Sequence, residues 1–370
     1  MPGPTLTSPS WLVERLAAVF AGAGLERAAA TTVATALIDA DMRGIPSHGS
    51  LLVPMYVERI VSGSVTTLTS AEPVADFGAV AVLDGGHALG VLTADQAMAL
   101  AIEKARDHGL GAVAVRRAFH FGGAFRYVQS AAEAGMIGVA AANTRPLMPA
   151  PGGAHAVVGN NPLAIGVPRA GGEPLVLDMA LSEAALGKIR LAAQEGREIP
   201  ATWATAADGT PTTDPAAAIA GLLLPAAGHK GYGLALMVDV LTGVLSGGSY
   251  GGAVRGLYAD TAVPNDCAHF FLALDVTRFG SDLDGFAARV ADLSQQVTSP
   301  PAAPGVERLL VPGQLEAERH AAAEAQGVAL DASVLERLRA AAESVGVELG
   351  DPAPAAPGGP APADPTGAPA

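Results

Sequence analysis

Three histidines and one lysine stand out because of the residues beside them. Ser47-His48-Gly49 follows Gly44-Ile45-Pro46, a turn that puts an imidazole on a tight, exposed connection within reach of a substrate. Imidazole exchanges protons near neutral pH more readily than any other side chain, so His48 is a candidate proton donor or acceptor. Its plainer reading is a surface histidine. His120 opens His-Phe-Gly-Gly just after the apolar run 111 to 115, at the C-terminal end of an expected strand, where open α/β sheets bind ligands. A buried, satisfied histidine would look the same. His229 and Lys230 lie between Gly228 and Gly231 at the start of a long apolar stretch. Glycine flanks let a ligand approach, and the lysine charge suits a phosphate or carboxylate; the ordinary alternative is a solvated lysine.

Carboxylate, amide and hydroxyl groups add to these. Leu177-Asp178-Met179-Ala180-Leu181-Ser182 carries an expected strand into an expected helix, so Asp178 emerges at the strand end and Ser182 is placed to cap. Free helix N–H groups there would also favour a phosphate. Asn143-Thr144 and Gly159-Asn160-Asn161-Pro162 put small polar groups in turns after apolar strands. Such residues hold turns through bonds to the backbone or orient a polar ligand.

Several familiar sites are missing. The Gly-x-Gly pairs at 22/24, 109/111 and 231/233 have Arg27, Ala114 and Leu236 where a dinucleotide fingerprint needs its third glycine. Gly187-Lys188 lacks the rest of a P-loop, and Arg43 and Ser50 occupy ligand positions of the one calcium-loop-like run beginning at Asp39. No His or Cys spacing suggests a metal site. The 370 residues carry a formal charge of -14 without a compensating basic run, which argues against nucleic acid as a partner. A single cysteine, Cys267, forms no internal disulfide, and the N-terminus has no basic-then-apolar leader, so a reducing, cytoplasmic setting is expected. The segment 234 to 245 is apolar but short and contains Asp239; it reads as a buried core helix rather than a membrane span.

The elements that must position these groups follow from the apolar periods. Ser8-Pro9 predicts a helix start, with Leu12, Leu16, Val19 and Phe20 on one face and Gly24 as a stop. A second helix is predicted from Glu26 to Met42, burying Ala29, Val33 and Leu37. From about 74 the pattern becomes β-α-β-α-β: strands at 80 to 85, 111 to 115 and 136 to 142, with helices at 91 to 108 and 123 to 134. Strands follow at 163 to 167 and 174 to 180, helices at 182 to 194 and 231 to 246, a strand at 269 to 276, and helices near 282 to 296 and 336 to 343. This predicts an N-terminal helical region (1–73), an α/β region (74–300) and a segment (301–350) packing back on the helices. The Pro/Ala/Gly-rich tail (351–370) holds almost nothing that can be buried and is expected to be disordered. Only 4% of residues are aromatic, so the core must be built from small and aliphatic side chains packed closely.

Taken in order, DMRGIPSHG, HFGG, NTRPLMP, GNNPLAIGVP, VLDMALS, GKI, GHKGYGLALM and VPG resemble the malate/L-lactate dehydrogenase family that lacks a Rossmann fold, over a stretch from about Pro9 to Gly350. The resemblance implies an α/β fold with a mixed sheet wrapped by helices, a homodimer, and an NAD- or NADP-dependent oxidoreductase acting on a small 2-hydroxy or 2-keto acid. Members of the family act on malate, lactate, sulfolactate, ureidoglycolate or diketogulonate, and some reduce cyclic imino acids. Matched residue by residue, His48 falls on the catalytic histidine with Ser47 as a substrate contact, and His120 on a second histidine with an acid-base or nicotinamide-side role. The cofactor segment matches Leu177, Asp178, Met179, Ala180, Leu181, Ser182 and Glu183. Asp178 also matches a residue that in some members positions the substrate or assists the catalytic histidine. Asn143, Thr144, His229 and Lys230 match further cofactor contacts, and Gly313, Gln314 and Leu315 match a late cofactor loop.

Two departures bear on substrate choice. Leu52 and Leu186 stand where many members carry arginine, and a guanidinium fork is what would hold a substrate carboxylate. These departures leave a nucleotide-binding relative without activity as one alternative; the family's range adds a cyclic-imino-acid reductase, and Lys230 in Gly-His-Lys-Gly adds a pyridoxal phosphate enzyme with that lysine forming the Schiff base.

Overall fold

A helix that starts at Pro9 needs its free N–H groups met, and in the computed structural model Ser8 Oγ accepts the Trp11 N–H ahead of the helix Pro9–Gly22. The structure describes residues 4–354 and divides the chain into two units: the described residues up to Val61 with those from Gln314 onward, and Ser62–Gly313.

In the first unit the predicted apolar face is the buried one: Leu12, Leu16, Val19 and Phe20 of Pro9–Gly22 pack with Ala29, Val33 and Leu37 of Arg27–Met42. A third helix, Val53–Val61, has no counterpart in the sequence reading. It is short, follows two 3-10 turns, and hides Arg59, a fully buried charged residue that breaks the apolar pattern. The helices Gln314–Gln326 and Ala332–Glu343 complete this unit, together with an antiparallel pair formed by Thr5–Thr7 and Val328–Leu330. The expected disorder from 351 is corrected over its first residues: Ser8 N–H donates to the Ala353 carbonyl at 2.9 Å, and Thr7 bridges to Pro354. The rest of the tail, 355–370, lies outside the described residues.

The second unit is a seven-stranded mixed sheet covered by helices. Its spatial order is Glu72–Phe77, Val80–Asp84, Leu110–Ala118, Cys267–Asp275, Met136–Ala142, Leu163–Val167 and Leu175–Met179. Only Val80–Asp84 and Leu110–Ala118 are parallel neighbours, joined by the crossover helix Gly90–His108. The strand latest in sequence, Cys267–Asp275, runs antiparallel between Leu110–Ala118 and Met136–Ala142, so the second β-α-β step does not pair directly. The helix Phe125–Glu133 packs on that side of the sheet. It comes so close that a Cβ on Gly166 would lie 2.3 Å from the Val128 carbonyl oxygen, which is how a core poor in aromatics fills its space.

Two helix boundaries differ from expectation. The helix expected from 182 begins at Leu186, and the one expected from 231 to 246 runs as an α-helix over His229–Asp239 and continues as a π-turn over Val240–Val244. Nor is the second a core helix, because one side of it is exposed. No helix among the described residues is long and apolar enough to cross a membrane.

Replacing Gly166 by valine should overpack the helix–sheet contact and destabilise the protein by about 1–3 kcal/mol. Chemical denaturation reads this directly, and an unchanged midpoint would show that the contact relaxes freely.

Candidate active site

The segment that carries His48 is set by the end of the helix Arg27–Met42. Gly44 takes a left-handed conformation (φ 75°), Ile45 N–H returns to the Ala40 carbonyl, and Pro46 opens the 3-10 turn Pro46–His48. Ser47 is exposed and His48 half-buried, with Ser47 Oγ 3.0 Å from His48 Nδ1. Desolvation holds the imidazole below its ordinary range, which favours the neutral ring. Behind the turn, Asp41 Oδ2 accepts the Ser50 N–H at 2.8 Å. Burial pushes this carboxyl up to about 6, with the hydrogen bonds from Ser50 pulling the other way. Its neighbour Asp39 is committed elsewhere, to Arg43 Nε and His320 Nε2, both at 3.1 Å. Leu52 is packed in the core.

The other predicted residues belong to the second unit, apart from Gln314 and Leu315. There the strand Leu110–Ala118 hands on to Phe119-His120-Phe121-Gly122-Gly123. Phe121 anchors this loop: it is buried, with its ring 4.6 Å from His269 and 5.1 Å from Tyr127, and Tyr127 Oη donates to the Phe121 carbonyl. His120, next to it, stays half-buried. His269 was not singled out by sequence because it sits within an apolar strand. Burial pushes its pKa down to about 3, against a backbone bond at Phe119, so it serves as a neutral ring under the loop. Cys267, a free buried thiol, lies 3.5 Å from its Nε2.

Asp178 does not cap the helix that follows its own strand but meets the start of another. Its Oδ2 accepts the Phe125 N–H at 2.8 Å, at the start of Phe125–Glu133, and so ties the strand Leu175–Met179 to the His120 loop. Ser182 is not a helix cap either: it is buried and donates to the Ala184 carbonyl, while Ala185 precedes the helix Leu186–Gln194. Residues 181 to 183 are instead laced to 224 to 227. Ala226 N–H donates to Leu181 O, Glu183 N–H to Leu224 O, and Ala227 N–H to Glu183 Oε2. Ala227 and Gly228 then take positive φ and deliver exposed His229 and Lys230 into the first turn of His229–Asp239, which no side chain caps.

Gly313 also reaches this strand. Val176 N–H donates to Pro312 O, and a Cβ on Gly313 would lie 2.8 Å from Val176 O. The late loop stops there, because Gln314 and Leu315 open the helix Gln314–Gln326. Asn143 is buried, and its amide is engaged by Asp239 Oδ1, Ser249 O and Ala268 N–H. Thr144 Oγ1 bonds Asn160 Oδ1 at 3.0 Å, and Thr144 N–H donates to Asn161 Oδ1. Around Leu175–Met179 the fold thus gathers Asp178, Glu183, Gly313 and the His120 loop. Leu177 faces out, Met179 and Ala180 are half-buried, and Leu181 is buried. Among the described residues, no group of three or more His, Cys, Asp or Glu could hold a metal ion.

Residues 8–339 match the family model described as malate/L-lactate dehydrogenase. A malate dehydrogenase of Pyrococcus abyssi is 37% identical over 327 residues, covering 86% of this chain and 89% of that one. The NAD(+)-dependent ureidoglycolate dehydrogenase of Escherichia coli K12 is 37% identical, covering 83% and 87%. An NADP(+)-dependent (2R)-3-sulfolactate dehydrogenase of Chromohalobacter salexigens is 36% identical, covering 87% and 93%. Among solved structures, sulfolactate dehydrogenase from Methanocaldococcus jannaschii superposes with a TM-score of 0.87 at 32% identity, covering 93% and 98%. A delta1-piperideine-2-carboxylate reductase from Pseudomonas syringae superposes at 0.82 and 30%, covering 91% and 100%.

Asp178→Ala should remove the cap on Phe125–Glu133 and cost about 1 kcal/mol of stability. Asp178→Asn, which keeps an acceptor, should recover most of it in the same melts. Equal losses in both variants would deny the capping role.

Proposed function

The chain belongs to the malate/L-lactate dehydrogenase family, and from that premise we propose that it moves a hydride between nicotinamide and C2 of a small 2-hydroxy or 2-keto acid, with His48 as proton donor and acceptor. Membership makes it an NAD(P)-dependent oxidoreductase acting on CH–OH groups. The observation that carries the proton-transfer assignment is the desolvated imidazole of His48, steadied by Ser47 on a short turn.

The residues of the second unit fit a dinucleotide. An uncapped helix N-terminus with Lys230 in its first turn suits a phosphate, and the outward-facing Leu177 beside Asp178 offers an apolar surface ending in a carboxylate. In this reading Lys230 pairs with phosphate rather than forming a Schiff base. The nicotinamide supplies the hydride chemistry when bound. The chain's own part is to bind, orient and handle the proton. A neutral His48 is ready to take the hydroxyl proton as a hydroxy acid is oxidised, and its protonated form returns that proton to the carbonyl oxygen in reduction. A second reading, reduction of a cyclic C=N next to a carboxylate, is favoured by the likeness to the piperideine carboxylate reductase.

The working form is proposed to be a cytoplasmic homodimer. What supports self-association is the outer side of the 229–245 stretch, where Leu234, Met237, Val240, Leu241, Val244 and Leu245 are 40–57% exposed. An apolar stripe of that length is unusual on a surface that meets only water.

His48→Asn should lower kcat by about 10²- to 10⁴-fold and leave NAD(P)H binding nearly intact, measured with a panel of 2-keto acids and cyclic imines. Near-normal turnover would end the assignment. Because desolvation lowers the imidazole pKa, the proton-donating form is gained only as pH falls through that lowered value. Keto-acid reduction should therefore rise toward acid pH and hydroxy-acid oxidation toward neutral and basic pH; the opposite slopes would contradict the role of His48. Leu241→Glu should convert the dimer to monomer in sedimentation velocity, whereas an unchanged mass would take this face out of the interface.

A further inference from the structure

The turn that carries His48 is held from behind by a carboxylate that the proton transfer does not itself use. Asp41 lies in the last turn of Arg27–Met42, and its two oxygens do different things. Oδ2 accepts the Ser50 N–H at 2.8 Å. Oδ1 fills the place where a side chain on Gly49 would begin: a Cβ there would lie 1.9 Å from Oδ1 and 2.3 Å from Cγ. Gly49 has φ -100°, a value open to any residue, so space and not backbone freedom requires glycine here. The carboxylate thus touches the two residues that immediately follow His48, at the junction between the turns Pro46–His48 and Ser50–Leu52.

We infer that Asp41 is a positioning residue for His48, its carboxylate being the stop against which the Ser47-His48-Gly49 turn is set. This rests on the reading that His48 carries the proton. With Ser47 on the imidazole side and Asp41 on the backbone side, the ring is fixed at both ends of its own residue. The carboxylate is kept there against its own desolvation, which raises its pKa to about 6. What the turn needs from this side chain is its shape, an acceptor for the Ser50 N–H and a second atom seated where a Gly49 side chain would begin.

The test compares four variants with His48→Asn. Asp41→Glu drives the carboxylate one methylene into Gly49, and Gly49→Ala pushes back from the other side. Both should lower kcat by about a hundredfold, the cost of displacing a reacting group by about 1 Å, with the NAD(P)H dissociation constant unchanged. Asp41→Asn keeps an acceptor of the same shape and should retain most of the turnover. Asp41→Ala removes the stop without adding bulk, should fall like the first two, and decides the matter if those fail to fold by circular dichroism. Full kcat in folded Asp41→Ala or Asp41→Glu would overturn the inference, as would an Asp41→Asn variant as impaired as Asp41→Glu. If His48→Asn itself keeps normal turnover, the proton-carrier reading fails instead, so the two failures are distinguishable.

Discussion

The second unit depends on one late strand. Cys267–Asp275 pairs antiparallel with Leu110–Ala118 on one side and Met136–Ala142 on the other, and without it the sheet would fall into two parts with unpaired edges. Its pairing partners lie more than a hundred residues earlier, so the sheet can close only after most of the unit has been brought together. The strand also supplies the floor of the proposed site. His269 and Phe271 face Phe121 and Tyr127, and Ala268 N–H donates to Asn143 Oδ1 at 2.7 Å. The His120 loop is therefore built on side chains from a segment that local sequence gives no reason to place there.

This explains what sequence could and could not show. Most of the strands and helices from 80 to 298 were legible because each declares itself through its own apolar period, as at Val80–Asp84 or Gly90–His108. Their order in space was not, since the insertion of Cys267–Asp275 is a non-local event with no periodic signature. The helix Val53–Val61 escaped notice because buried Arg59 interrupts its pattern, and Gln314–Gln326 because it follows a proline-rich stretch and buries none of its residues fully. At the candidate site, His48, His120, Asp178 and Lys230 were legible as chemistry-bearing residues in turns. Their partners were not: Asp178 meets Phe125 across 53 residues, and Asp41 meets Ser50 around a corner that spacing alone does not reveal.

The amides were legible as polar turn residues, but their structural partners were not. Asn143 sits in a turn after an apolar strand, where a ligand contact and a structural strut look alike. Its side chain joins the Asp239 carboxylate, the Ser249 carbonyl and the Ala268 N–H, and Asn161 reaches the same carboxylate and the Ala235 carbonyl. A buried aspartate in an apolar helix is costly unless its oxygens are met, and these two amides meet them. Polar groups that the sequence offers for a turn or a ligand here dock the 229–239 helix to the ends of Met136–Ala142 and Cys267–Asp275.

That docking also reaches the segments proposed to hold the cofactor. The helix fixed by Asp239 at its far end begins with His229 and Lys230, and its entry is laced to residues 181 to 183 through Glu183 and Leu181. Residues 181 to 183 continue from the strand whose Asp178 caps Phe125–Glu133, and that helix follows the His120 loop. Lys230, Glu183, Asp178 and the His120 loop therefore form a chain of direct hydrogen bonds and short backbone spans, each link made within a few residues of the next. A group binding at one end meets a surface already set at the other, so little ordering remains to be done on binding. The buried carboxylate at the end of that helix, set in an apolar run where a charge breaks the pattern, is what holds one end of this chain in place.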